Sequence, residues 1–286
     1  STTTTDMVYK NILQKTFSYS LLILGAITMV LPFAWMVSTS LKSYSSVFIF
    51  NVNDIKWIPN PVYWKNYIDV WKVVPFAKFY FNSLFVCITV TLAQVATSAL
   101  AAYSFSRLRF PGREKVFFSY LATMMIPGSV TMIPVFVLMR MFGWIDSYKA
   151  LIIPAAFSAY GTFMLRQFFM TIPRDLEDAA KIDGCNYWGI FCKVILPLSK
   201  TALATLTVFV ALGNWVSFMW PLLVTNSLEK RTLPVGLAYF QEMYQYAQPD
   251  WGLLMAGSLI TMIPIIVIFI FGQKFFVEGI KLTGLK

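Results

Sequence analysis

The groups able to do chemistry are few in this chain, and they gather in one place. Histidine is absent, which removes imidazole metal sites, imidazole-based triads and histidine proton relays together. The three cysteines, Cys87, Cys185 and Cys192, form neither a paired framework nor a zinc spacing, and they read as free thiols. Cys87 lies in an apolar run where a thiol packs as a small hydrophobe; Cys185 and Cys192 are two helical turns apart but lack further ligands for a metal. No Gly-x-x-x-x-Gly-Lys-Ser/Thr run occurs, so the usual phosphate cradle of an ATPase is missing. No catalytic set and no metal site is assigned. The acidic residues instead concentrate between Pro173 and Pro197, where Asp175, Glu177, Asp178 and Asp183 precede Gly184.

The elements that must hold this segment are apolar. Of 286 residues 58% are hydrophobic and only 13% charged, too few charges to cover a soluble globule of this size. Six stretches, about 18–38, 79–104, 116–139, 150–170, 201–224 and 251–272, approach the roughly 20 residues that cross a bilayer as a helix. The reading is an all-α integral membrane protein with six transmembrane helices. The first span is too long for a signal-peptide core and lacks a small-residue cleavage pattern, so it is kept as an anchor. The polar start, Ser1 to Asp6, reads as frayed.

None of the six spans holds Asp, Glu, Lys or Arg in its interior, Arg166 standing at the end of the fourth. Ion-driven carriers and intramembrane aspartate proteases need such groups, so both classes are disfavoured. A passive channel is not. If transport is active, another polypeptide must supply the energy.

The formal charge of +10 reads as topology, not as nucleic-acid binding. Lys and Arg are retained on the cytoplasmic side. One set of connections carries fourteen of the 23 basic residues, including Arg107, Arg109, Arg113 and Lys115 in one tight turn, and the other carries nine. The first set is cytoplasmic, and both termini lie with it: a tail over 1–17, a membrane domain over 18–272 and a tail over 273–286. Two loops, Leu41 to Lys78 and Asn226 to Asp250, fall outside. In the first, Trp64, Ile68 and Trp71 recur at helical spacing after Asn60-Pro61, predicting a short amphipathic helix along the outer boundary. The Trp residues of these loops read as an interfacial belt ahead of a ligand platform.

The stretch 173–197 predicts two short helices around a glycine. Pro173 suits a first turn, Asp175, Glu177 and Asp178 favour its positive dipole end, and Gly184 supplies a left-handed stop. Asn186 caps the next helix, which ends near Pro197. Leu176, Ala179, Ala180 and Asp183 are expected on one face, with Glu177 and Lys181 as an i, i+4 pair on another. Two adjacent alanines permit close approach of a partner helix or of the chain's own core.

Here the sequence resembles a known family. Asp178-Ala179-Ala180, Gly184, Val194 and Leu196-Pro197 repeat the spacing of the coupling motif of ABC importer permeases, Glu-Ala-Ala, three residues, Gly, nine residues, Ile, one residue, Leu-Pro. Asp178 replaces Glu and Val194 replaces Ile. Asn82-Ser83, Pro127-Gly128, Pro134, Phe163 with Arg166-Gln167, Phe218-Met-Trp-Pro-Leu222, Trp251 to Ala256 and Gln273 to Gly279 are similar to words of the carbohydrate-importer branch, permeases like the second membrane subunit of the maltose system. The ending Leu282-Thr-Gly-Leu-Lys286 departs from it.

The resemblance implies a type I (MetI-like) transmembrane domain in a bacterial or archaeal cytoplasmic membrane. It implies a second permease subunit, related but different, two cytoplasmic ATPase subunits that bind ATP and Mg, and an extracytoplasmic solute-binding protein. The solute would be a sugar or oligosaccharide; the chain itself would bind no cofactor and no nucleic acid. Its coupling residues would be Glu177, Asp178, Ala179, Ala180, Asp183, Gly184, Leu196 and Pro197. In the fifth span Asn214, Trp215, Ser217 and Phe218 bring amide, hydroxyl and aromatic groups together as candidates for the solute path, with Val216 where the family commonly has Asn. Helix packing explains the same residues equally well, with a kink at Pro221. The competing reading of the whole chain is a stand-alone channel or facilitator of neutral solutes.

Overall fold

The computed structural model describes residues 2–43, 57–243 and 250–284. Its regular elements are helical, with no strand among the described residues. The inner parts of the two predicted outer loops, 44–56 and 244–249, and the last two residues of the ending lie outside them. The chain forms two compact units, Ser1–Val74 with Phe240–Ile260, and Pro75–Tyr239 with Thr261–Lys286.

In the first unit α1 spans Thr2–Ser40, so the start expected to fray is helical from Thr2. Between Phe17 and Phe33 its large apolar side chains are exposed, as in a helix whose whole circumference meets lipid or another protein. The predicted short helix is α2, Asn66–Val73. It buries Asn66 and Val70 while Trp64, Ile68 and Trp71 stay exposed. The Asn66 amide donates to the carbonyls of Ser40 and Lys42, both at 2.8 Å, which satisfies the chain where α1 ends. The Lys42 ammonium lies 4.1 Å from the Trp35 ring centre, and burial lowers its pKa.

The second unit is built on α3, Phe76–Arg107. It is followed by α4 (Arg113–Ala122), α5 (Gly128–Met141), α6 (Tyr148–Ile152) and α7 (Ala159–Thr171). Then come α8 (Asp175–Ile182), α9 (Tyr187–Ile190), α10 (Lys200–Trp215) and α11 (Met219–Val224). The last two, α12 (Leu233–Glu242) and α13 (Trp251–Gly284), each have residues in both units. The main core joins α3, α7 and α10 through Ala99, Ala102, Leu165, Phe169, Leu206 and Val210. Small residues set its spacing: a Cβ on Gly161 of α7 would lie 2.6 Å from the Ser98 hydroxyl oxygen of α3.

Among the described residues, three helices are long and apolar enough to cross a bilayer: Gln14–Ser40, Phe76–Arg107 and Trp251–Lys274. Two bent pairs, Arg113–Met125 with Gly128–Met141 at 101° and Tyr187–Leu198 with Lys200–Trp215 at 78°, would raise the number to five. The expected third span is therefore broken. Pro127 pushes Ile126 out of the helical region, to φ −86° and ψ 118°, because the proline ring clashes with a helical residue before it. The expected fourth span is a 13-residue helix, α7, about 20 Å long, preceded by α6 and a 3₁₀ turn at Pro154–Ala156. The expected fifth span also breaks, at 216–218, between α10 and α11. Pro221, expected to kink it, instead sits in the first turn of α11, where a missing N–H is tolerated.

Asn82 and Ser83 have a structural task. The Asn82 amide donates to the carbonyls of Glu229 and Arg231, both at 2.8 Å, and its oxygen accepts from the Tyr148 hydroxyl. Ser83 accepts the Leu233 N–H at 2.8 Å. Together they fasten the approach to α12 onto the start of α3.

Candidate functional site

The segment after α7 folds as two helices around Gly184, as its residues predict. Asp175, Glu177 and Asp178 lie in the first turn of α8 and Lys181 in its last, each favourable to the helix dipole. Gly184 has φ +80°. Its N–H reaches the Lys181 carbonyl and the Cys185 N–H reaches that of Ala180, both at 2.9 Å, the paired bonds of a Schellman stop. Asn186 then caps α9 by accepting the Gly189 N–H at 2.8 Å. The helix runs on through a π turn, Phe191–Ile195, to Leu198.

Ile190, Phe191 and Ile195 anchor this second helix in the core of α3, α7 and α10, and the Tyr103 hydroxyl donates to the Tyr187 carbonyl at 3.1 Å. The opposite side is uncovered: Leu176, Ile182, Tyr187, Trp188 and Leu198 are all exposed, Ile182 to 87%.

The predicted coupling residues divide between the two sides. Asp178, Ala179, Asp183, Gly184 and Pro197 are exposed; Ala180 and Leu196 are half-buried against the core; Glu177 is buried. The expected Glu177–Lys181 pair does not form. Lys181 instead holds Asp178 at 2.8 Å, three residues away, and this bond and charge lower the pKa of the Asp178 carboxyl and raise that of Lys181. Leu176, Ala179 and Asp183 share the exposed side, while Ala180 turns partly inward.

Glu177 is drawn elsewhere. Its Oε1 lies 2.9 Å from Nη1 of Arg107, the last residue of α3, with the two side chains only 10% and 4% exposed. Nη2 of Arg107 donates to the carbonyls of Phe169 and, at 2.7 Å, Ile172, where α7 ends. A guanidinium there suits a helix C-terminus and its unsatisfied carbonyls. A reciprocal bond comes from α7: Arg166 Nε donates to the Phe105 carbonyl of α3 at 3.1 Å, its Nη2 holds Glu114 of α4 at 3.0 Å, and its guanidinium lies 4.0 Å from the Phe117 ring centre. Sequence reading takes Arg107 as a topology signal and Arg166 as the end of a span and part of the family resemblance. Partners more than 50 residues away were not visible to it.

A cavity of about 420 Å³ opens between α3, α5, the α6 region and the α10–α11 break, with Asn214, Ser217, Trp220 and Thr232 on its wall. Asn214 and Ser217 thus line one cavity, and the Asn214 amide N–H₂ bonds back to the Val210 carbonyl at 2.8 Å. Trp215 is turned away: it is buried, its indole N–H donates to the Thr261 carbonyl at 3.0 Å, and its ring meets Tyr80 edge-on at 5.7 Å. Phe218 is exposed at the break. Sequence reading missed Thr232, whose buried hydroxyl has no hydrogen-bond partner among the described residues, and the cavity face of Trp220.

The sequence pattern of the family described as the binding-protein-dependent transport system inner membrane component matches residues 94–282, from the middle of α3 into α13. The chain belongs to that family. Among curated relatives, the arabinooligosaccharides transport system permease protein AraQ of Halalkalibacterium halodurans is 36% identical over 205 residues, 72% of each chain. The sn-glycerol-3-phosphate transport system permease protein UgpE of Yersinia enterocolitica is 32% identical over 271 residues, 92% of this chain and 95% of its own. A chain of a bacterial ABC transporter involved in the import of the acidic polysaccharide alginate superposes with a TM-score of 0.82 at 26% identity, covering 92% of this chain and 96% of that one. The fold is thus the MetI-like one of ABC importer permeases, as the resemblance implies.

Proposed function

We propose that the chain is one permease subunit of an ATP-driven, binding-protein-dependent importer and lines half of the pathway for a sugar or oligosaccharide. The observation that carries this reading is the ordered 173–197 segment, docked on α3, α7 and α10 by one side while Leu176, Ala179, Ile182 and Trp188 stay uncovered on the other. Such a surface, outside the long apolar helices, suits a protein partner. Two cytoplasmic ATPase subunits holding ATP and Mg are that partner. When they close on ATP, Asp178, Ala179, Asp183 and Gly184 move with them, and Glu177, Ala180, Leu196 and Pro197 pass the motion inward. The seat must hold in both nucleotide states, since only differential contact biases a conformational equilibrium.

The topology consistent with this role has six crossings, both termini and the 173–197 segment in the cytoplasm, tails over 1–17 and 273–286, and the α2 and α12 regions outside, facing a solute-binding protein. Residues 148–171, α6 to α7, make the fourth crossing as a broken element. A related but different permease covers the exposed apolar faces, in a bacterial or archaeal cytoplasmic membrane. The solute class is carried over from the relatives, named for arabinooligosaccharides and sn-glycerol-3-phosphate. Asn214, Ser217 and Trp220 offer it hydrogen-bonding groups and an aromatic face, with Phe218 at the rim and Trp215 bracing the wall from behind.

Membranes carrying a tagged copy should yield an ATPase and a second permease on purification, and proteoliposomes of that assembly, with the solute-binding protein and solute outside, should accumulate solute only when ATP is enclosed with the ATPases. Gly184→Pro, which cannot adopt the left-handed stop, should abolish accumulation while leaving membrane insertion intact. Uptake by this chain alone without nucleotide would establish the facilitator instead.

A further inference from the structure

Between α7 and α8 the backbone leaves the helix at Ile172, with φ −73° and ψ 129°. The link is short, and α8 itself adds few buried contacts: Glu177 is its one buried residue, Ala180 is half-buried against the core, and its far end is tied through Gly184 to α9. Arg107 reaches both sides of this link: Nη2 grips the Phe169 and Ile172 carbonyls before it, and Nη1 meets Glu177 beyond it. The guanidinium is therefore a staple across the hinge, supplied by the end of a third helix. It is held in place in turn, since Arg166 of α7 grips the Phe105 carbonyl just before it.

We propose that Arg107 is the positioning residue of the coupling segment: it locks α8 to α3 and α7, so the three move as one body when α8 is pulled. The inference rests on the coupling reading above and specifies which side chain carries the load. A planar guanidinium can donate to two carbonyls and still set its charge against a carboxylate, whereas an ammonium has no such fixed fork. With the staple intact, displacement of α8 is displacement of α3. Without it, the link bends and the motion stops there.

The test is a distance measured in the assembled transporter, purified with its ATPases and reconstituted in lipid. Cys87→Ala, Cys185→Ser and Cys192→Ser remove the native thiols, and spin labels are placed at Ile182→Cys on α8 and Leu100→Cys on α3. Double electron–electron resonance is recorded without nucleotide and after trapping with ATP and vanadate. With Arg107 present the distance should change by less than about 2 Å between the two states, as in a rigid body. In Arg107→Gln and, separately, Glu177→Gln, the distribution should broaden and shift with nucleotide while the ATPases stay bound and still hydrolyse ATP. A nucleotide-dependent shift with the staple intact overturns the proposal, as does a narrow, fixed distance in both glutamine variants. Absence of bound ATPases from the assembly with the pair intact overturns the coupling reading itself, and the proposal with it.

Discussion

Asp146 shows how one side chain fixes a connection. It is in the left-handed region at φ 59°, between α5 and α6, and its Oδ1 accepts the N–H groups of Asn226 and Ser227 and the Ser227 hydroxyl at 2.9 to 3.0 Å. Burial pushes its carboxyl upward, but the bonds from Ser227 and Asn226 and the charge of Lys230 outweigh that and leave its pKa below the ordinary 3.8. A carboxyl whose pKa is depressed by folding contributes stability above its ordinary value and loses that contribution as pH falls through the folded value. Acidification below 3.8 should therefore release the Asn226 and Ser227 amides, seen as faster hydrogen exchange than in Asp146→Asn at the same pH. Asp146→Ala forfeits both the acceptor and a residue type suited to positive φ, and should lower unfolding stability by about 1–3 kcal/mol. Aspartate tolerates this geometry, but its partners lie 80 residues away, beyond the reach of sequence pattern.

Among the elements, the contact of α3 with α7 is set by Gly161 and Ser98. Gly161→Ala places a methyl 2.6 Å from the Ser98 hydroxyl oxygen and 3.2 Å from its Cβ, closer than packed atoms tolerate, and overpacking of this kind costs about 1–3 kcal/mol. Adding Ser98→Gly removes the two nearest obstructing atoms and leaves only Leu206 Cδ1 at 3.3 Å, the far end of a flexible side chain. The double variant should recover most of the loss, and thermal unfolding of all four proteins would measure the coupling. A deficit in the double variant as large as in Gly161→Ala alone would place the strain elsewhere. Sequence reading located these helices by hydropathy but drew them too straight. It took 116–139 and 201–224 as continuous spans, although Pro127-Gly128 was in view; apolar length argues for a span, while where a helix bends is also decided by what it packs against.

At the scale of the molecule, the proposed six-crossing topology makes sided predictions. Single cysteines at Arg113 and Lys181 should react with a membrane-impermeant thiol reagent in inside-out vesicles and not in intact cells, and cysteines at Lys65 and Lys230 should do the reverse. Labelling of Arg113→Cys from the outside of intact cells would overturn the orientation. Among the described residues, helices long and apolar enough to cross number three or, with each bent pair taken as one span, up to five. The fate of 148–171 therefore decides whether the termini share a side, and a reagent-accessible cysteine at Ser158 in the middle of that element would count against a full crossing.

The sequence by itself determined the local features: apolar lengths, the helix, glycine and helix of 173–197, the caps at Gly184 and Asn186, and the motif spacing by which the family is legible. These follow from neighbours a few residues apart, where backbone geometry and periodicity govern. Only the tertiary structure decided which carboxylate of α8 turns inward. Glu177 and Asp178 are adjacent and alike in charge. One meets a desolvated guanidinium 70 positions earlier in the chain and the other meets solvent and Lys181, because the packing of α3 against α7 brings Arg107 to just one of them.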